Sequence, residues 1–210
     1  MSGVLLDSGA SQVYHFHFPG AILIAMNSKF RYCPYCASSM LEEVRFNAVR
    51  PVCSGCGFVQ FHDPKVAVIA LVLHQDKVLL IQRAVDPAKG KWSLPGGYMD
   101  AHEMPKEALQ RELKEEVGLS SKIGGLIDIF PMVNDEGSRI GIVLAFSAEP
   151  ADSPEIPYVA DDAQDAGWFR AQEIPADLAF ESTATLLTNW SSSAENLYGS
   201  GGREPGANTI

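Results

Sequence analysis

The chain has 210 residues, 46% hydrophobic and 20% charged, which leaves room for one ordinary globular domain and a small module. Its formal net charge of −10 argues against a generic binder of nucleic acid or anionic membrane, which needs a basic face, but leaves small phosphate substrates open because a bound metal can invert a local field. No apolar run approaches membrane-spanning length, and the short patch 21–26 follows Pro19 without a basic stretch before it, so we expect no signal peptide and a cytoplasmic protein.

Residues 1–28 read as an N-terminal tail. Tyr14-His-Phe-His-Phe-Pro alternates like a strand and would put His15 and His17 on one side, and Met26 is an alternative start. Residues 29–62 form a first module around two C-x2-C pairs, Cys33-Pro-Tyr-Cys36 and Cys53-Ser-Gly-Cys56, sixteen residues apart. That spacing matches a four-thiolate zinc site, in which each pair wraps a tight turn around one side of a tetrahedral ion. Gly55 and Gly57 supply permissive backbone for the second turn. The residues between the pairs, 41–50, have strand-like stretches suited to a hairpin.

Residues 63–190 are the main domain. Val66 to Leu73 is a continuous apolar run of strand length, His74-Gln-Asp is a turn, and Lys77 to Gln82 is a second strand. Ala84 to Lys91, with Pro87 and Gly90, reads as a loop. Pro105 suits a first helical turn, and Ala108, Leu109, Leu113 and Val117 recur at helical spacing, so the helix is expected over 105–117 with Gly118 as its C-cap. Ile123 to Met132 and Arg139 to Phe146 are strands joined by Asn134-Asp-Glu-Gly-Ser. Gly167-Trp-Phe is a short strand, and Phe180 to Trp190 a terminal helix. Residues 191–210 are rich in serine and glycine and are expected to be a mobile tail. The order of elements is mixed α/β.

The helix 105–117 carries the chemistry. Glu112 and Glu116 are four apart and Glu115 is three from Glu112, so their carboxylates lie on neighbouring turns of one face. Such a cluster repels itself, and a hard divalent cation with oxygen ligands would remove the penalty. Upstream, Gly97 precedes Glu103 by six positions, and Arg111 adjoins Glu112. A bare Glu/Lys run is usually a solvated helix face; here the flanking residues also fall at fixed offsets.

The segment Gly97–Leu119 resembles the Nudix box, G-x5-E-x7-R-E-U-x-E-E-x-G-U with U aliphatic, at every fixed position. The resemblance implies a Nudix α/β/α sandwich on a mixed sheet, and a hydrolase that cleaves a nucleoside diphosphate linked to another moiety. It implies Mg²⁺ or Mn²⁺ held by Glu112 and Glu116, with Glu115 sharing metal or positioning water and the Gly97 carbonyl completing the shell. Glu103 and Arg111 would be an ion pair fixing loop to helix, and Glu103 is also a candidate to touch metal through water.

The wider order also looks like the zinc-ribbon Nudix proteins, which include FAD, ADP-ribose and NADH pyrophosphatases. A ribbon is followed by His62-Asp-Pro-Lys-Val, Arg83-Ala, Lys91-Trp-Ser-Leu-Pro-Gly-Gly, a Trp-Phe strand and a Phe-Glu-Ser-Thr helix. Two departures matter. The Ser-Gln-Pro-Trp-Pro-Phe-Pro signature of NADH pyrophosphatases is replaced by Asp128-Ile-Phe-Pro-Met-Val, which disfavours NADH. His102 stands where glycine is usual, and is expected to face solvent. Asp162, ahead of Trp168, is a further metal candidate, although Asp161, Asp162 and Asp165 also suit a solvated acidic loop. Arg83 and Lys91 are candidates to neutralise phosphate or else plain surface residues, and Tyr98 and Phe130 are candidates to stack on a planar ring, while core packing is expected for Trp92.

The expected activity is hydrolysis of a dinucleotide such as FAD or ADP-ribose with release of AMP, with zinc structural in the ribbon. A small-molecule nucleotide is the expected partner, and a homodimer is left open. The rival is a non-catalytic nucleotide sensor using the ribbon to bind a partner or nucleic acid. Degraded box glutamates would favour it, and all of them are present.

Overall fold

The computed structural model describes residues 30–134, 136–152 and 163–198. The expectations for residues 1–28, for Asp161 and Asp162, and for the chain after Tyr198 lie outside them. The chain divides into two compact units between Asp63 and Pro64.

In the first unit, β1 (Met40–Arg45) and β2 (Ala48–Cys53) pair antiparallel, in register from Met40↔Cys53 to Arg45↔Ala48. Phe46 and Asn47 join them with φ of 51° and 61°, the left-handed pair that a two-residue hairpin of matching twist requires. The Arg50 guanidinium lies 4.5 Å from the Phe61 ring centroid.

The second unit is built on β3 (Lys65–His74), β4 (Lys77–Arg83), β5 (Trp92–Ser93), β6 (Gly96–Tyr98), β7 (Ser121–Val133), β8 (Arg139–Pro150) and β9 (Ala163–Arg170). The sheet runs β5-β4-β3-β8-β7, with β6 on β3 and β9 on β4. β3 and β8 are parallel and the other pairs antiparallel, so the sheet is mixed.

Residues of β3 alternate between the two faces. Val68, Ala70 and Val72 join Leu79 and Ile81 against Ala108, Leu109, Leu113 and Val117 of α1 (Pro105–Val117). Leu71 joins Val78, Leu80 and Ala145 against Leu186 and Leu187 of α2 (Glu181–Tyr198). Continuous apolar β3 is thus buried on both sides, and the unit is an α/β/α sandwich as the resemblance implied. Burial of each such Leu side chain contributes about 1.5–3 kcal/mol.

The structure differs from the sequence reading at the periphery. The terminal helix does not end at Trp190: it runs to Tyr198, through the first eight residues assigned to a mobile tail. No glycine or proline interrupts that stretch before Gly199, and serine is only moderately poorer than alanine as a helix former. β9 begins at Ala163, four residues before the expected Gly167, because pairing with β4 extends a sequence of weak strand propensity. β8 likewise continues past Phe146 to Pro150, paired with β3 as far as Ala148 and with β7 to its end.

Candidate active site

α1 starts with Pro105 at its first position, where a missing N–H costs nothing, and the Met104 N–H donates to the Glu107 carboxylate at 2.8 Å. It ends at Gly118, whose φ of 66° lets its own N–H and that of Leu119 return to the Lys114 and Leu113 carbonyls. The helix therefore stops one residue after the carboxylate run. Its apolar stripe docks on the sheet, which turns Glu112 and Glu116 toward β6.

Glu116 is buried, and its carboxylate accepts a 2.9 Å hydrogen bond from the Gly96 N–H. A carboxylate withdrawn from water needs such a donor. Gly97 lies against Glu112: a Cβ at Gly97 would fall 2.5–2.7 Å from the three atoms of that carboxyl group. Glycine here is a space requirement, since β6 and α1 meet through the carboxylate.

Arg111 is the hub. Its Nε and Nη2 grip both oxygens of Glu103 at 3.1 and 2.7 Å, its Nη1 donates to Glu112 at 2.8 Å and Glu115 at 3.0 Å, and its Nη2 also donates to the Tyr98 carbonyl at 3.1 Å. The bidentate pair with Glu103 has fork-on-fork geometry, the strong form of the ion pair. Glu103 also accepts from the Asp100 N–H at 2.8 Å, which closes the loop from β6 to α1. The Arg111 guanidinium and that N–H hold the Glu103 carboxyl at a pKa of about 2. Glu112 is shifted the other way: burial raises it, against the pull of Arg111. The sequence reading paired Arg111 with Glu103 alone. Here the guanidinium is shared among three glutamates, and is itself the cation that offsets their repulsion.

Among the described residues, the carboxylates do not converge on a single point as the cysteines do. Glu112 and Glu115 are turned onto Arg111 and Glu116 onto the Gly96 N–H. The donor set, carboxylate oxygens beside a strand backbone, is nevertheless of the hard type that Mg²⁺ and Mn²⁺ take.

The remaining candidates separate. Tyr98 is exposed on β6, and its hydroxyl reaches the Met132 sulfur at 3.8 Å. The register Tyr98↔Ala67↔Val143↔Phe130 puts Tyr98 and Phe130 in one row across four strands. Phe130 packs against the cluster beneath α2, so at least part of its ring serves the core. Arg83 donates its Nε–H to the Pro87 carbonyl at 2.7 Å, and its guanidinium lies 5.1 Å from the Phe180 ring centroid. It closes the 84–91 loop and ties it to the residue before α2. Lys91 is exposed, and its backbone carbonyl accepts from the Arg83 N–H. Trp92 packs in the core edge-on to Phe169, His102 is exposed, and Asp165 caps the Ala166 N–H at 2.8 Å.

Where β3 begins beside the end of β6, Pro64, Lys65, Val66, Tyr98, Met99 and Asp100 line an open cavity of about 330 Å³. Lys65 escapes sequence reasoning. A lysine at a strand entry carries no signal until β6 is known to lie beside it.

In the first unit the four cysteine sulfurs all lie within 4.8 Å of one another, with Cys33–Cys56 at 3.7 Å and Cys36–Cys53 at 3.3 Å. Four ligands about 2.3 Å from a tetrahedral zinc are about 3.8 Å apart, so the set fits that ion. The two knuckles repeat one another. Ala37 and Gly57 both take left-handed φ, 57° and 75°, and their N–H groups bond the Cys33 and Cys53 carbonyls. The Ser38 hydroxyl pulls Cys36 down to about 6. For Cys56 a backbone hydrogen bond from Phe58 lowers the pKa, but the sulfurs of Cys36, Cys53 and Cys33 and burial push it up to about 12. Neighbouring thiols that cannot all ionise together call for a cation.

A model of the NUDIX domain matches residues 63–189. The chain is 35% identical over 120 residues to an ADP-ribose pyrophosphatase of Methanocaldococcus jannaschii, covering 56% of this chain and 68% of that one. It is 30% identical over 164 residues to the NAD-capped RNA hydrolase NudC of Stutzerimonas stutzeri, covering 76% of this chain and 55% of the relative, so it spans about half that protein's length. A solved NUDIX hydrolase from Nitrosomonas europaea superposes with a TM-score of 0.70 at 26% identity, covering 80% of this chain and 93% of that one.

Proposed function

Since the chain belongs to the Nudix hydrolase family, we propose that it hydrolyses the pyrophosphate bond of a nucleoside diphosphate joined to a second group, with ADP-ribose or FAD as substrate and AMP as one product. The observation that carries the reading is the cluster of Glu103, Glu112, Glu115 and Glu116 assembled around Arg111 against Gly96 and Gly97. The printed activity of the Methanocaldococcus relative supports ADP-ribose. The absence of the NADH signature at 128–133 supports placing NADH behind it.

Glu112 and Glu116, with the Gly97 carbonyl, are the residues that would hold Mg²⁺ or Mn²⁺, and Glu115 would share metal or orient water. The divalent ion, when bound, neutralises phosphoryl charge and lowers the pKa of water. The chain's own part is positioning. Glu103 locks Arg111, and Arg111 keeps Glu112 and Glu115 together at low repulsive cost until a stronger cation competes for them. The Gly96 N–H keeps the buried Glu116 of α1 fixed against β6, and a fixed donor set needs little rearrangement at the moment of reaction. The four cysteines would hold one zinc, and four thiolates fill a tetrahedron, leaving no position for an activated water. That role is structural. The protein works on a small-molecule nucleotide, and we place it in the cytoplasm.

A panel of ADP-ribose, FAD and NADH with Mg²⁺ and Mn²⁺, with both products identified, tests the reading. AMP from ADP-ribose or FAD, faster than from NADH, is expected. Metal binding without cleavage of any member would replace it with the sensor.

A further inference from the structure

The glutamate cluster poses an electrostatic problem for the proposed substrate. A pyrophosphate carries negative charge into a site of four glutamates, in a chain of net charge −10. Arg111 does not meet that charge, because all three of its guanidinium nitrogens are committed to Glu103, Glu112, Glu115 and the Tyr98 carbonyl. Arg83, whose Nε donates to the Pro87 carbonyl, does not line the cavity beside β6.

Lys65 is placed differently. It opens β3, and its Nζ sits 5.1 Å from the Tyr98 ring centroid. Among the described residues it makes no salt bridge, and it is the one cation lining the cavity of about 330 Å³. The rest of that lining, Tyr98 to Asp100, is the adjacent segment that continues from Gly97 and is tied to Glu103 and to Arg111. Asp100 also lines the cavity, so without Lys65 its only formal charge would be negative. The exposed face of Tyr98 seats the ammonium, and an aromatic ring holds a cation without neutralising it.

Resting on the reading above, we infer that Lys65, seated on Tyr98, is a substrate-binding residue that receives a phosphate of the nucleoside diphosphate in this cavity. It would act as a point charge on substrate binding, separate from the carboxylates that hold the metal.

Calorimetric titration with ADP in Mg²⁺, at two ionic strengths, tests this without requiring turnover. Lys65→Met keeps most of the stem and removes the charge, and the side chain is exposed, so the fold should be retained. It is expected to weaken ADP by about 10-fold and to flatten the dependence on salt, while Lys65→Arg stays within about threefold of wild type. Tyr98→Leu, which removes the seat, should weaken ADP by a smaller factor. An unchanged Kd in Lys65→Met, or no ADP binding by the wild-type protein, would overturn the inference. Failure of the hydrolase reading has a different signature: ADP bound in a Lys65-dependent way, with no dinucleotide cleaved.

Discussion

Gly97→Ala is the smallest change that reaches the centre of the site. The new methyl would lie 2.5 Å from Glu112 Oε1, 2.6 Å from its Cδ and 2.7 Å from Oε2, whereas ordinary van der Waals contact begins near 3.4 Å. The carboxylate must therefore retreat by roughly 1 Å, and a misplacement of that size in a positioning group costs on the order of 10²-fold in rate. The stability cost should be small, because the end of a flexible Glu side chain yields more readily than backbone and Gly97 does not have the left-handed φ of Gly96. The expected result is a drop of 10- to 100-fold in kcat on ADP-ribose at saturating Mg²⁺, with Tm within a few degrees of wild type. Normal kcat with normal Tm would mean that Glu112, where the fold puts it, has no part in turnover. A collapse of Tm would mean that the contact is structural.

Glu112→Gln keeps the size of the side chain and removes its charge, and should lower kcat by about 10²-fold or more at saturating Mg²⁺. Glu103→Gln tests the ion pair through pH. The folded pKa of Glu103, about 2, lies below its ordinary value of 4.5, so its contribution to stability is full above about pH 5 and fades as pH falls toward 2. Thermal melts should show the wild type more stable than Glu103→Gln at pH 6 and the two converging near pH 2; a gap that stays constant would refute the shift. Elemental analysis should find one zinc per chain, and Cys33→Ser should lose it and lower Tm more than it lowers kcat per folded molecule. Zinc retained by that variant would contradict the four-sulfur site.

The parts legible in the sequence are those where one local rule suffices. α1 shows its start in Pro105, its buried stripe in Ala108, Leu109, Leu113 and Val117, and its end in Gly118, and the structure places all of them there. The four cysteines are legible because a tetrahedral ion restricts spacing. Harder to read is whatever depends on pairing at a distance. β9 and the end of β8 are held by neighbours rather than by propensity, so their bounds came out short. Residues 191–198 look like a tail by composition, yet they continue a helix with nothing in the sequence to stop it before Gly199. The sharing of Arg111 among three glutamates depends on where β6 passes α1, and so does the exposure of Lys65 beside Tyr98. The Arg83 contact with the Pro87 carbonyl is likewise visible only once the 84–91 loop is folded.

The most direct test of the central claim is AMP release from ADP-ribose, resolved chromatographically, by the wild-type protein and by Glu116→Gln in the presence and absence of Mg²⁺. AMP and a sugar phosphate should form only with wild-type protein and metal together, while the Gln variant, still folded, falls by about 10²-fold or more. Equal AMP release by the two proteins, or release by wild type that is indifferent to divalent metal, would contradict the account.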